Sequence, residues 1–100
     1  MLLLRDIDKI KYIIKDATNL EVAYAYDDLV FPEHTAFIVQ FDDEDKSNYF
    51  LYFHEDCIGK DKVKLHAQLA GTAKVNKCTM VEKGTFTLEQ VGEEIKIHFN

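Results

Sequence analysis

The chain has 100 residues, the length of a single domain, and its apolar fraction of 47% is enough for a core without disulfides or a structural metal. Its formal net charge of −6 repels phosphate backbones, which argues against nucleic acid as the main partner. No stretch approaches the ~18 consecutive apolar residues of a membrane span. The apolar run in MLLLRDIDK is too short for a secretion signal. We therefore expect a cytoplasmic protein without membrane contact.

The first predicted element is an amphipathic N-terminal helix. Apolar residues recur at steps of three and four, which places on one helical stripe Leu3, Ile7, Ile10, Ile14 and Ala17. Charged side chains take most of the remaining surface, and Tyr12 and Ile13 widen the apolar face. The helix is expected to end near Thr18 and Asn19.

The pattern then changes to the alternation that is typical of strands. In LEVAYAYD, alternation predicts one shared face for Leu20, Val22, Tyr24 and Tyr26. Pro32 interrupts the next stretch and indicates a loop or the start of a strand.

A hairpin is predicted in the middle of the chain, formed by HTAFIVQFD and YFLYFHE and joined by the polar turn DDEDKSN. In the first strand, one side carries Thr35, Phe37, Val39 and Phe41 and the other Ala36, Ile38 and Gln40. In the second strand, one side carries Tyr49, Leu51 and Phe53 and the other Phe50, Tyr52 and His54. A sheet with one face in water shows alternation of apolar and polar residues, and this hairpin does not. We therefore predict that both faces are covered. The N-terminal helix would cover one, and a second helix, a second sheet, an apolar ligand or a partner subunit the other.

The segment KDKVKLHAQLAG is ambiguous. Residues 62–69 alternate as a strand would, yet Lys, Leu, Ala and Gln favour helix, and Ile58, Leu65 and Leu69 align on one helical stripe. Asp61 could cap the start of such a helix and Gly71 its end. The helical interpretation is preferred.

In the last third of the chain, the sequence pattern predicts consecutive antiparallel strands, a β-meander. AKVNKCTMVE is expected to be a strand, Gly84 a bend or turn, and TFTLEQ and EIKIHF a half-exposed hairpin at one side of the sheet. Together these elements predict an α+β fold: an N-terminal helix, an antiparallel sheet of five to six strands and a second helix near residues 60–70. The alternative is a small barrel or sandwich of seven strands with one helix.

Signals for chemistry are weak. His54 and Cys57 have an H-x-x-C spacing, but a zinc site needs two such pairs, and His34, His66, His98 and Cys78 are isolated. A Cys57 nucleophile would lack a glycine-rich turn for its oxyanion hole. We expect no catalytic residues, no cofactor and no metal. Cys57 and Cys78 are most simply two buried thiols, and a disulfide between them is the alternative if the protein is exported.

The acidic turn resembles the start of a calcium loop at Asp43, Asp45 and Ser47. The position that requires Gly is Asn48, however, and the one that requires Glu is His54. A solvated hairpin tip explains this composition better.

The remaining functional signal is aromatic. A binding patch is predicted from Tyr24, Tyr26, Phe50, Tyr52 and His54, although a role in the core is the simpler explanation. The sequence therefore favours a non-enzymatic binding or interaction protein, with a protein partner or self-association. One alternative is a barrel that carries or senses a small apolar ligand, and the other is a thiol or metal site at His54 and Cys57.

Overall fold

The computed structural model describes residues 6–33 and 36–100. Within these ranges, two helices and six strands follow one another as α1 (Ile7–Thr18), β1 (Val22–Tyr26), β2 (Leu29–Pro32), β3 (Phe37–Phe41), β4 (Asn48–His54), α2 (Gly59–Val75), β5 (Thr79–Val91) and β6 (Glu94–Phe99). The strands form one sheet in sequence order, which curves into a half-barrel. The predicted α+β fold is confirmed. Leu3, His34 and Thr35 lie outside the described residues.

Helix α1 begins and ends as its sequence indicates. The Asp6 carboxylate accepts a hydrogen bond from the Lys9 amide at 3.0 Å, which caps the helix, and Asn19 ends it in the left-handed conformation with φ of 64°. Its buried residues are Ile10, Ile13 and Ile14. Ile13 is thus central to the apolar face, whereas Tyr12 is exposed.

The predicted shared face of β1 is wrong, because a bulge interrupts the strand. Val22 lies opposite Pro32, but Tyr24 lies opposite Phe31, so Ala23 is an extra residue. Leu20 and Val22 consequently pack on the helix side of the sheet, while Tyr24 stacks on Phe31 on the other side.

The prediction for Pro32 also needs correction. Pro32 is neither in a loop nor at the start of a strand: it is the buried last residue of β2, a four-residue strand without alternation. The sequence analysis missed β2 because all its residues are buried, so no polar residue marks its period.

Each strand of the middle hairpin alternates as predicted, and the pairing shows which sides of the two strands coincide. Strand β3 pairs antiparallel with β4 from Phe37 opposite Phe53 to Phe41 opposite Tyr49. Phe37 and Phe53 contribute to the core under the helices, and Ile38 and Tyr52 contribute to a second core on the opposite face.

Residues 62–69 are helical, so the strand alternative is wrong. Helix α2 is longer than predicted: Ile58 rather than Asp61 is its N-cap, and it continues through Gly71 to Val75. Because the helix continues through Gly71, Ala73 is buried against the sheet. The Asn76 side chain caps the C-terminal end by donating a hydrogen bond to the Thr72 carbonyl at 2.8 Å.

A helical connection returns the chain to the same end of the sheet, so β4 and β5 pair in parallel. The sheet is therefore mixed and not wholly antiparallel as predicted. Residues 73–75 belong to α2, and the two strands predicted on either side of Gly84 are one strand, β5. Gly84 lies beside a register shift that leaves Lys83 as the extra residue.

Each face of the sheet has its own core. On the first face, both helices cover the sheet through Ile10, Ile13, Ile14, Leu69 and Ala73. On the second, the sheet covers itself by its curvature, with a core of Leu29, Phe31, Ile38, Tyr52 and Phe86. The prediction that both faces of the hairpin are covered is confirmed. Within the described ranges, no helix is long and apolar enough to cross a membrane.

Candidate functional site

The curved face of the sheet holds an open groove between the two edge strands. Its volume is about 510 Å³, and it is lined by Tyr24, Tyr26, Leu29, Phe31, Glu93, Ile95, Ile97 and Phe99. We call this set the aromatic groove. Strands β1 and β2 form one wall, and β6 with the turn before it forms the other.

The bulge in β1 builds the first wall. Because Ala23 is an extra residue, Tyr24 turns to the curved face and stacks on Phe31 with ring centroids 4.5 Å apart and planes at 10°. Tyr26 follows two residues later on the same face and is 70% exposed. Without the bulge, both tyrosines would lie on the helix side.

Strand β6 builds the second wall from a regular two-residue hairpin. Val91 lies opposite Glu94, and Gly92 makes the turn with φ of 63°, a conformation that glycine adopts without strain. Ile95, Ile97 and Phe99 alternate onto the groove face, where Phe99 reaches the Tyr52 ring at 4.6 Å between centroids. This contact joins β6 to the second core.

A polar network lies beside the apolar floor. The Tyr52 hydroxyl donates to Gln40 Oε1 at 2.9 Å, and Gln40 Nε2 donates to the Asp28 carboxylate at 2.7 Å. Burial raises the pKa of Tyr52, and the negative charge of Asp28 raises it further. The tyrosine therefore stays a neutral hydrogen-bond donor, and the network fixes the ring that Phe99 contacts.

The five predicted patch residues all lie on the curved face, but only Tyr24 and Tyr26 line the groove. Tyr52 supports the groove from below through Phe99. Phe50 is covered by the Lys83 ammonium, 4.2 Å from its ring centroid. His54 packs edge-on against Phe86 and accepts the Asp56 amide on Nδ1 at 3.0 Å.

Sequence analysis missed the groove residues Leu29, Phe31, Glu93, Ile95, Ile97 and Phe99. The alternation of Ile95, Ile97 and Phe99 indicated a strand, and these residues do lie in β6. Their position opposite Tyr24 and Tyr26 depends on sheet curvature, for which no local sequence signal exists.

Four side chains of the groove are large, apolar and widely exposed: Tyr24 at 53%, Tyr26 at 70%, Ile95 at 60% and Phe99 at 46%. Among the lining residues that the structure describes, the one charged side chain is Glu93, which fits the acidic character of the chain. The groove therefore offers apolar surface, two tyrosine rings and a negative charge.

The second predicted site, at His54 and Cys57, has a different chemistry. Cys57 Sγ lies 3.9 Å from the Ile58 carbonyl, while the His54 ring is engaged by Asp56. Burial raises the pKa of the Cys57 thiol, and the charge of Asp61 adds to the increase. A nucleophilic cysteine needs a lowered pKa, so this environment opposes thiolate chemistry.

No cluster of three or more His, Cys, Asp or Glu side chains that could hold a metal occurs among the residues that the structure describes. Both cysteines are free thiols. Cys78 is buried as expected. Cys57 is half-buried beside a cavity of about 480 Å³ that is lined mainly by α2 and the residues just before it, together with Thr18 and Ala36.

The acidic turn after β3 uses its carboxylates to hold its own backbone. Asp42 accepts the Glu44 amide at 2.9 Å and the Asn48 side chain at 3.0 Å, and Asp45 accepts both the amide and the hydroxyl of Ser47. These hydrogen bonds lower the pKa of both aspartates. The turn is a hairpin tip, as the sequence predicted.

Comparison with known proteins adds no relative: no protein-family model, no curated protein and no solved structure matches this chain.

Proposed function

We propose that this protein is a non-enzymatic binding protein that holds an apolar segment of another protein in the aromatic groove. The observation that carries the proposal is the exposure of Tyr24, Tyr26, Ile95 and Phe99 on opposite walls of one groove. Single exposed apolar residues are ordinary on protein surfaces, whereas a contiguous set is typical of an interaction site. Tyrosine in particular is enriched where binding energy concentrates.

Charge indicates the chemistry of the partner. Glu93 lines the groove, and the chain carries a formal net charge of −6. A partner with Lys or Arg beside its apolar residues would be attracted to this surface. The exposed faces of Tyr24 and Tyr26 can also receive such a cation by a cation–π contact. We therefore expect a segment that is apolar and basic.

A small apolar ligand is the second candidate. The groove volume of about 510 Å³ falls within the range of ligand pockets, roughly 300–1,000 Å³. The barrel closure that would have enclosed such a ligand depended on a strand at residues 62–69, which are helical. The groove is open instead, and this openness favours a polypeptide over an enclosed ligand.

The test uses a photo-crosslinking amino acid in place of Tyr26, with the full chain expressed in its own host. We expect a covalent adduct to a protein segment that is apolar and basic. Ile95→Lys, which places a charge in the groove, is expected to weaken binding about tenfold or more.

The matched control is Val75→Lys, because Val75 is an equally apolar side chain, 84% exposed, on α2 and away from the groove. It should bind as the wild type does. Equal adduct formation by the Ile95→Lys and wild-type proteins would refute the proposal. A retained small molecule in native mass spectrometry, without a protein adduct, would favour the ligand alternative.

A further inference from the structure

The sheet has two edges, and they differ in regularity. Strand β1 is five residues long and carries the bulge, a feature that protects an edge against pairing. Strand β6 pairs with β5 without any register shift, from Phe86 opposite Phe99 to Val91 opposite Glu94. It contains no proline. The outer side of β6 is thus a regular edge that can accept another strand.

The hydrogen-bond pattern shows which groups β6 presents outward. The Asn100 amide donates to the Thr85 carbonyl at 3.0 Å, so these residues form a hydrogen-bonded pair of the antiparallel ladder. Such pairs alternate with pairs whose backbone groups point away. Counting along β6, the amides and carbonyls of Ile95, Ile97 and Phe99 therefore point to the open edge.

The same three residues place their side chains in the aromatic groove. Glu94, Lys96 and His98 lie on the opposite side of the strand. An added strand in register with Ile95, Ile97 and Phe99 would therefore contact an apolar row on one face and a polar row on the other.

The sequence of β6 is complementary to itself in one antiparallel register. With Ile97 opposite its own counterpart, Ile95 lies opposite Phe99, so every cross-strand pair on the groove face is apolar. Shifting the register to place Ile95 opposite Ile97 would put Lys96 opposite Lys96, which like charge disfavours. The favoured register instead places Lys96 opposite His98 and Glu94 opposite Asn100.

Charge does not oppose this pairing locally. Strand β6 carries one acidic residue, Glu94, and one lysine, Lys96. Glu89 lies opposite Lys96 within the hairpin and contacts His98 Nε2 at 2.7 Å, so one carboxylate of the same chain lies near both basic groups. The net charge of −6 is therefore not concentrated at this edge.

We infer that a second copy of this chain pairs with the β6 edge, which gives a two-fold symmetric dimer with one continuous sheet across both copies. The dimer pairs the backbone edges of β6 and brings Ile95, Ile97 and Phe99 of the two copies together, and it does not require the binding of another protein that we propose for the groove. Dimer formation is measured on the purified protein alone, so a failure to dimerise is distinguishable from a failure to bind a partner.

The first experiment tests the register by disulfide formation in a Cys57→Ser background. Lys96→Cys and His98→Cys proteins are mixed under mild oxidation. Because residues 96 and 98 of the two copies are directly opposed, with Cβ atoms roughly 4.5–5.5 Å apart, the mixture should form a covalent dimer. Each variant alone should form much less. A mixture that crosslinks no better than its components overturns the inference.

The second experiment tests the backbone contact by sedimentation velocity over a range of concentrations. Ile95→Pro removes an amide that points to the open edge and not into the monomer ladder, so it should raise the dimer dissociation constant at least about tenfold. Ile95→Thr keeps the amide and is the matched control, with a smaller effect expected.

A wild-type protein that stays monomeric at about millimolar concentration would overturn the inference, and so would unchanged association of a folded Ile95→Pro protein. Circular dichroism shows whether the Ile95→Pro protein is folded. If it is not, the disulfide experiment decides alone.

Discussion

At the residue scale, two tyrosines of β4 show how burial sets their chemistry. Tyr49 faces the helices and is almost fully buried, while Tyr52 faces the curved side and donates to Gln40. Burial raises the pKa of Tyr49 to about 12, with the charges of Cys78 and Asp6 adding to the increase. Both rings must therefore remain protonated in the folded protein.

Alkaline pH is expected to destabilise the protein through Tyr49. A folded-state pKa above the ordinary value means that the unfolded chain loses the proton first, so stability is full below pH 10 and falls between pH 10 and about 12. The slope contributed by Tyr49 is at most about 1.4 kcal/mol per pH unit. Urea denaturation at a series of pH values measures it.

Tyr49→Phe is the control for this prediction, since it removes the titrating hydroxyl and keeps the ring in the core. The variant should lose less stability above pH 10 than the wild type, with Tyr52 accounting for part of the remaining slope. Identical slopes for the two proteins would contradict the assignment to Tyr49.

The residue scale also shows where sequence patterns succeed. The faces of Phe37 to Phe41 and of Tyr49 to His54 were predicted correctly because both strands are regular, so a period of two holds throughout. The same rule failed for Tyr24 because one extra residue, Ala23, reverses the face of everything that follows it.

At the element scale, α2 shows why a helix end is hard to predict. Glycine is a common helix terminator, but here Gly71 lies inside the helix. Apart from its chain neighbours and the helix's own backbone, no atom lies within 4 Å of where its Cβ would be. Packing of Leu69 and Ala73 against the sheet stabilises the turns on both sides of it. Tertiary contacts therefore override the local preference of glycine.

Gly71→Ala is expected to stabilise the protein by about 0.5–1 kcal/mol, because alanine restricts the unfolded chain and the site has room for its methyl group. Urea denaturation should show a higher midpoint with an unchanged slope.

Gly92→Ala provides the opposite control. Gly92 also has open space around it, but its φ of +63° strains any other residue, so this variant should lose stability. The interpretation of α2 would be wrong if Gly71→Ala were destabilising while the helix content stayed the same.

At the scale of the whole molecule, the sheet has two cores of different construction. The helices cover the first, and the curvature of the sheet covers the second. The curvature coincides with irregularities in two strands: the bulge in β1 and the shift beside Gly84 in β5. Bulges increase the local twist and bend of a strand, which brings β1 and β6 to opposite walls of the groove.

If the second core is a true core, Phe86→Ala should cost about 3–5 kcal/mol, the range for a buried aromatic side chain. Phe53→Ala, which lies in the first core, should cost a similar amount. Phe99→Ala is the control on the curved face: its ring is 46% exposed, so its loss should be clearly smaller.

Thermal and urea unfolding of the three variants measure this comparison. A loss for Phe86→Ala no greater than that for Phe99→Ala would mean that the curved face is not packed in solution, and the aromatic groove would then have no fixed floor.

The sequence by itself determined the elements whose period is unbroken: α1, the middle hairpin and the terminal hairpin. For residues 62–69 it favoured a helix and left a strand open. It also determined that both faces of the hairpin are covered, because no polar row was available for water. Only the tertiary structure decided what covers the second face, which strands are parallel and where Tyr24 and Tyr26 point. These features depend on extra residues in β1 and β5 and on the accumulated curvature of six paired strands, and such long-range geometry leaves no periodic trace in the chain.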